Sequence, residues 1–320
     1  GGVERQCGIS FGYNQKPGDE EQLSVFVSDD YPLFWRLAGI ALEAPEAVER
    51  LQKDCAEYFT EPPEDTSQWK WSGSEGELSR VRPNLDIVYE DANILLLNKR
   101  PGVLVHDDAE GESDTLLLHA KAYLYQKGEY DPAAEQSFAP ALCNRIDRNT
   151  GGVVILAKNA EALRVMNEKI RNGEVKKFYL AAVHGILRKK SDTLLAWLKK
   201  NAATNTVRIY TAADKPRDAK RIATRYRVLA EKNGDSLIEV ELLTGRTHQI
   251  RAQFAEIGHP LLGDGKYGVG SVNRKYGETQ QALYSYRLRF DFPTDAGILE
   301  YLRGREFQVD EVPFQKKYFG

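Results

Sequence analysis

The chain has 320 residues, 42% of them hydrophobic and 28% charged, with a formal net charge of −3. That length suits two domains, or one large domain with an appendage, and is enough to bury a substantial core. The composition is that of an ordinary globular protein, and no run approaches the roughly 18 consecutive apolar residues of a membrane span. The opening residues, GGVERQCG, are polar and are not expected to form a secretory leader. Cys7, Cys55 and Cys143 are odd in number and far apart. They speak against a disulfide framework or a zinc cage and for a reducing, cytoplasmic location. The small net charge hides a division. Residues 1–80 hold 7 Lys and Arg against 16 Asp and Glu, a net of −9, and residues 81–320 hold 37 against 31, a net of +6. A whole-chain pI of about 6.1 is therefore compatible with an RNA partner.

In chain order, EQLSVFVSDD (21–30) reads as a short strand and ALEAPEAVERLQKDCAEYF (41–59) as a helix. The stretch EPPEDTSQWKWSGSEGELSR (61–80), rich in Pro, Ser, Gly and acid, reads as a linker and puts a domain boundary near residue 80. Beyond it, NILLLNK (93–99) and GVVILAK (152–158) are short apolar runs and predict buried strands. NAEALRVMNEKIRNG (159–173) predicts a helix with Asn159 as N-cap, Leu163, Met166 and Ile170 on one face, and Gly173 past its end. VKKFYLAAVHG (175–185) and SLIEVELLTG (236–245) predict further strands. In the first of these, Tyr179, Ala181 and Val183 share one face, and Phe178, Leu180 and Ala182 the other. In TGRTHQIRAQFAEIGHPLLGDGKYG (244–268), Thr247 is the expected N-cap, and Ile250, Phe254 and Ile257 the expected apolar stripe of a helix closed by Gly258. His248 and Arg251, three apart, share a different face, so its first turn presents Arg246, His248 and Arg251 together. Strands mixed with helices without βαβ alternation predict an α+β fold.

The chemistry narrows by elimination. The sequence has no HExxH, no CxxC, no Walker or dinucleotide loop and no GxSxG. What remains is a carboxylate, a tyrosine and several arginines. In LCNRIDRNTGGVVILAKN (142–159), Asp147 stands between Arg145 and Arg148 and ahead of the turn NTGG. It reads either as a turn aspartate paired at the surface or as an ionised carboxylate held for use as a nucleophile or base. Cys143 reads as a small buried hydrophobe; a hydrolase using it with a distant His has no supporting motif. The stretch from Val207 to Arg227 carries seven Lys and Arg against two Asp. It is either a solvated hairpin or a phosphate-contacting arm, with Lys220 and Arg221 among its bases. Trp69 and Trp71 could stack on bases or pack against the domain that follows.

The segment NRIDRNTGG, followed by VVILAK, resembles the H-R-L-D-x-x-T-S-G motif of the RluA-type pseudouridine synthases. Three further stretches resemble that family in order and spacing: NKRPGVLVH (98–106), KKFYLAAVHG (176–185) and TGRTHQIRAQFAEIGHPLLGDGKYG. The resemblance covers about residues 84–290. Asn144 stands where the family commonly has His, Gly151 where it has Ser, and Arg100 interrupts the usual Lys-Pro pair.

The resemblance implies a mixed, mainly antiparallel β-sheet core flanked by helices, with a central RNA-binding cleft, over residues 81–320. It implies that residues 1–80 are a truncated alpha-L RNA-binding domain plus linker. The reaction implied detaches uracil from its ribose, turns the base and rejoins it through carbon 5, without cofactor or metal. Asp147 is then the catalytic residue, by attack on the sugar or by proton removal from it. Tyr179 stacks on the base and assists proton removal, and Arg251 salt-bridges the aspartate. Arg145 enters the RNA in place of the flipped nucleotide, as access to a stacked base requires. Arg148 flanks it. For Arg246 and His248, phosphate contact and structural hydrogen bonding stay open. The expected partner is large-subunit ribosomal RNA, with tRNA the alternative substrate; the protein is expected to be a monomer without membrane contact. The opposing hypothesis is a non-catalytic RNA-binding or ribosome-assembly protein on the same fold.

Overall fold

The computed structural model describes residues 78–320 except 107–113, 135–137, 202–203 and 278–279. The strand expected at 21–30, the helix at 41–59, the truncated RNA-binding domain, the linker up to residue 77, and Trp69 and Trp71 lie outside the described residues.

One mixed sheet organises the rest. Its strands are β1 (Ile87–Glu90), β2 (Ile94–Lys99), β3 (Ala141–Leu142), β4 (Gly151–Ala157), β5 (Val175–His184), β6 (Ser191–Asn201), β7 (Thr206–Tyr210), β8 (Lys220–Lys232), β9 (Asp235–Leu242), β10 (Leu283–Phe290) and β11 (Glu306–Gln308). The order across the sheet is β1-β2-β4-β10-β5-β9-β8-β6-β7, with β11 on β10 and β3 on β4. Only the short β4–β10 ladder, Tyr284 with Gly151 and Ser285 with Gly152, is parallel among these pairs. The helices are α1 (Leu116–Gln126), α2 (Ala160–Arg171), α3 (Gln249–Glu256), α4 (Gly270–Tyr276) and α5 (Pro313–Phe319), with a 3₁₀ turn at Gly297–Leu302. This is the α+β architecture expected from the sequence.

β2 and β4 are apolar without alternation because both faces of the sheet are covered there. Leu95, Leu97, Val154 and Leu156 join a core with α1, α3 and the Tyr179 face of β5. Ile94, Leu96, Val153 and Ile155 join a second core under α2 and the 3₁₀ turn. β5 divides as its alternation predicts: Tyr179, Ala181 and Val183 face the first core, and Leu180 the second. Helix α2 starts where its cap predicts, with Asn159 Oδ1 accepting the Ala162 N–H at 2.8 Å. Gly173 follows its end with φ +72°. Met166 is fully buried in the second core, and Leu163 and Ile170 pack at its edge.

α3 departs from expectation at both ends. Thr247 does not cap it. His248 occupies the cap position in a left-handed conformation, φ 53°, and makes no capping bond with its side chain. Gln249 holds the entry instead. Its Oε1 accepts from Arg246 N–H at 3.1 Å and from Thr244 Oγ1 at 2.9 Å, and its Nε2 donates to Ala223 O at 3.1 Å and Thr224 Oγ1 at 2.8 Å. A side chain tied to β8 thus replaces the local cap. At the other end, Ile250 and Phe254 are buried but Ile257 is 41% exposed, because the helix stops at Glu256 before a further turn can carry Ile257 inward.

The turn that delivers β4 allows no side chain. Gly152 has φ +118°, and a Cβ there would lie 2.2 Å from the Ser285 carbonyl oxygen. A Cβ at Gly151 would lie 2.2 Å from the Tyr284 ring, which explains why glycine replaces serine at this position. Gly152→Ala is expected to destabilise the protein by about 3 kcal/mol, from backbone strain and overpacking together. A urea-denaturation midpoint measures this, and an unchanged midpoint would contradict the geometry.

Candidate active site

Asp147 sits between β3 and β4 on a segment fixed at three points. Asn144 Oδ1 accepts the Ile155 N–H at 2.7 Å, so the residue found in place of histidine ties the segment to β4. Ile146 is buried in the first core, which leaves Arg145 and Asp147 on the opposite side of an extended stretch. The turn closes with Thr150 N–H donating to Asp147 O at 3.0 Å.

The third anchor is Lys99, at the end of β2 and fully buried. Its Nζ donates to Arg100 O at 3.0 Å, Val103 O at 2.8 Å and Arg148 O at 2.7 Å. One side chain therefore joins the 100–103 loop to the residue after Asp147. Burial outweighs the opposing charge of Asp147 and brings this ammonium down to about 7. The three carbonyls favour the charged form, since only an ammonium has three protons to give. Lys99→Met keeps the aliphatic stem but removes all three bonds and leaves Val103 O without a donor among the described residues, while Arg148 O and Arg100 O keep the Gly102 and Val103 N–H groups. It is expected to cost about 1–3 kcal/mol of stability and to lower turnover. Urea denaturation and single-turnover rates check both, and wild-type values in each would refute the anchoring role.

Opposite Asp147 lies α3. Arg251 Nη1 donates to Asp147 Oδ2 at 2.8 Å. The remainder of its fork grips Asp264, Nε to Oδ2 at 2.7 Å and Nη2 to Oδ1 at 2.9 Å. Burial pushes the Asp264 carboxyl up, but the Arg251 guanidinium and the N–H groups of Tyr267 and Lys266 outweigh it and hold the carboxyl below its usual range. Arg251 is thus aimed by a fully buried carboxylate before it meets a more exposed one. Among the described residues, Oδ1 of Asp147 accepts no hydrogen bond, so one oxygen is clamped and the other is open.

Two aromatic groups border the pair. Tyr179 on β5 is 6% exposed; burial, helped by the nearby charge of Asp147, outweighs the opposing influence of Ser285 and brings its phenol up to about 12. At neutral pH it is a protonated hydroxyl, suited to stacking and hydrogen-bond donation rather than to acting as a phenolate base. His248 Nε2 lies 3.8 Å from Asp147 Oδ2, and its Nδ1 is 2.8 Å from Tyr267 Oη. Burial lowers its pKa more than Asp147 raises it.

The structure brings together Asp147, Tyr179, His248 and Arg251. Of the two readings of His248, the hydrogen-bonded one describes its position, since its side chain is turned inward and only 8% exposed. Arg145, Arg148 and Arg246 are exposed, and Arg148 Nε donates to Gly102 O at 3.2 Å. Lys220 and Arg221 open β8, exposed, paired in register with Leu198 and Trp197 and outside the ion pairs around Asp147. The stretch from Val207 to Arg227 forms most of β7, a connecting loop and the first part of β8. Cys143 is no nucleophile: burial pushes its thiol up to about 12. Lys99, Asp264 and Tyr267 were not singled out from the sequence. Their signal was a charge closing an apolar run in ILLLNK and PLLGD, and a tyrosine three residues beyond the second.

The family model for RNA pseudouridylate synthase matches residues 93–256. An uncharacterized RNA pseudouridine synthase of Mycoplasma pneumoniae is 34% identical over 78% of this chain and 76% of the relative. A ribosomal large subunit pseudouridine synthase C of Vibrio parahaemolyticus is 30% identical over 71% and 67%. A structure of human RNA Pseudouridylate Synthase Domain Containing 1 shares the fold with a TM-score of 0.54 at 22% identity, over 73% of this chain and 94% of that one.

Proposed function

The chain belongs to the RNA pseudouridylate synthase family, and on that premise we propose that it isomerises uridines of large-subunit ribosomal RNA with Asp147 as the reacting carboxylate. The observation that carries this reading is the half-clamped aspartate. Arg251 fixes Oδ2 with a charge-assisted hydrogen bond, while Oδ1 accepts no hydrogen bond among the described residues and Tyr179 is a buried, protonated hydroxyl. Such a carboxylate can attack the sugar or take a proton from it; both routes free the uracil to turn and rejoin through carbon 5. Tyr179 offers a flat face to the detached base.

A uridine in a stacked helix cannot reach this carboxylate unless it leaves the stack. Arg145, exposed and on the same side of its segment as Asp147, is the residue proposed to occupy the vacated position. Arg148, Arg246 and the exposed bases of the β7–β8 arm, Lys220 and Arg221 among them, are proposed to hold the phosphates around it. The ribosomal target rests on relatives named as ribosomal large subunit synthases; the location proposed is the cytoplasm.

Rejoining at carbon 5 expels the hydrogen carried there. Large-subunit ribosomal RNA tritiated at uracil carbon 5 is therefore expected to release tritium with the purified protein, and transfer RNA is not. Release from transfer RNA alone would overturn the ribosomal assignment, and release from neither would favour a binding protein without chemistry.

A further inference from the structure

Tyr267 lies outside the roles assigned so far, yet three parts of the site meet on it. Its Oη is 2.8 Å from the Val207 backbone N on β7 and 2.8 Å from His248 Nδ1. Its ring lies 5.3 Å from the Arg251 guanidinium and meets the His248 ring edge-on at 5.5 Å. The proton inventory decides how these bonds run. Val207 can only donate, so the phenol oxygen accepts there. The hydroxyl hydrogen is then left for Nδ1, the one further acceptor within reach of it among the described residues. A histidine that accepts at Nδ1 carries its proton on Nε2 when neutral, and Nε2 faces Asp147 Oδ2 at 3.8 Å.

We infer that Tyr267 is a positioning residue that locks His248 as the Nε2–H tautomer facing Asp147, and that the seating of β7 sets this lock through the Val207 N–H. The inference rests on the reading of Asp147 proposed above for its catalytic meaning but not for its geometry. The consequence is directional. An N–H on Nε2 attracts the facing Asp147 oxygen, whereas a bare Nε2 lone pair would repel it. β7 lies in the basic arm proposed to meet phosphate, with Lys266 Nζ also donating to Asn205 O at the turn before it. An RNA that moves this arm would thus act on the proton facing Asp147 by way of a single hydroxyl.

The groups facing His248 are Asp147, Arg251, Lys266, Asp264 and Tyr267. Of these, Tyr267 stabilises the neutral ring specifically, because its hydroxyl can donate only to an unprotonated Nδ1. The test is nitrogen NMR of His248 in the RNA-free protein, wild type and Tyr267→Phe, across pH. Wild type is expected to show a protonated Nε2 and a bare Nδ1 at neutral pH. Tyr267→Phe is expected to lose that single tautomer and to titrate at higher pH, with kcat reduced and KM little changed. A wild-type proton on Nδ1 would overturn the inference whether or not the variant folds. So would a variant whose tautomer and titration match wild type. Both readouts are independent of turnover, so an inactive protein with the expected tautomer would count against the proposed function and not against this lock.

Discussion

Asp147→Asn is expected to lower pseudouridine formation by at least about 10³-fold while leaving the fold and RNA binding in place. The magnitude follows from the chemistry removed. An amide neither attacks a sugar carbon nor takes a proton from one at neutral pH, and losing a positioned base or nucleophile typically costs two to four orders of magnitude. Retention of the fold follows from how Arg251 is shared. Two of its three carboxylate bonds go to Asp264. The third can be kept by the carbonyl oxygen of the new amide side chain, so no buried charge is stranded. Ile146, Asn144 and Lys99 hold the segment through groups the substitution does not touch. Urea denaturation is expected to agree with wild type within about 1 kcal/mol, and RNA affinity is expected to stay near the wild-type value. An inactive variant that also unfolds would make Asp147 a structural residue and remove the support for its chemical role.

Arg251→Met has the opposite profile and the larger effect on stability. It leaves Asp264 fully buried without its cation, and breaking such a pair costs about 3–5 kcal/mol. Activity falls as well, because Asp147 loses the group that orients it. The pH dependence separates this cause from simple loss of packing. In wild type, Arg251 holds the Asp264 carboxyl below its unfolded value. The stability it contributes is therefore fully present above about pH 3.9 and is lost as the pH falls through the folded value. In the variant, burial is opposed only by the Lys266 and Tyr267 N–H groups, so the Asp264 pKa rises from its wild-type value, and lowering the pH neutralises the stranded charge and relieves the variant. The stability gap between the two proteins is expected to narrow between pH 7 and pH 4. Equal gaps by urea denaturation at the two pH values would mean that the ion pair is not what Arg251 supplies.

The parts of this molecule visible in its sequence are those governed by short-range rules. Period and composition located β2, β4, β5 and α2, and a single Asn159 marked the start of that helix, because caps and alternation act within a few residues. The joining of Asp147 to Arg251, 104 positions apart, was reached through motif resemblance and not through periodicity. Thr247 shows where local rules fail. A good N-cap residue in the right place was overridden by Gln249, whose partners Ala223 and Thr224 lie on another strand. Asp264, Lys99 and Tyr267 escaped notice for the same reason. Their roles consist of partners supplied by distant segments, and a buried charge is intelligible only with those partners in view. Gly151 stands in the sequence as a variation on the family motif; its reason is Tyr284, which fills the space a serine would need.

The most direct test is a transcriptome-wide map of pseudouridine in cells lacking this protein, re-supplied with wild type or with Asp147→Ala. One or a few sites in large-subunit ribosomal RNA are expected to vanish on deletion and to return with wild type only. If no site changes, or if Asp147→Ala restores the lost sites as fully as wild type, the carboxylate clamped by Arg251 is not the reacting group.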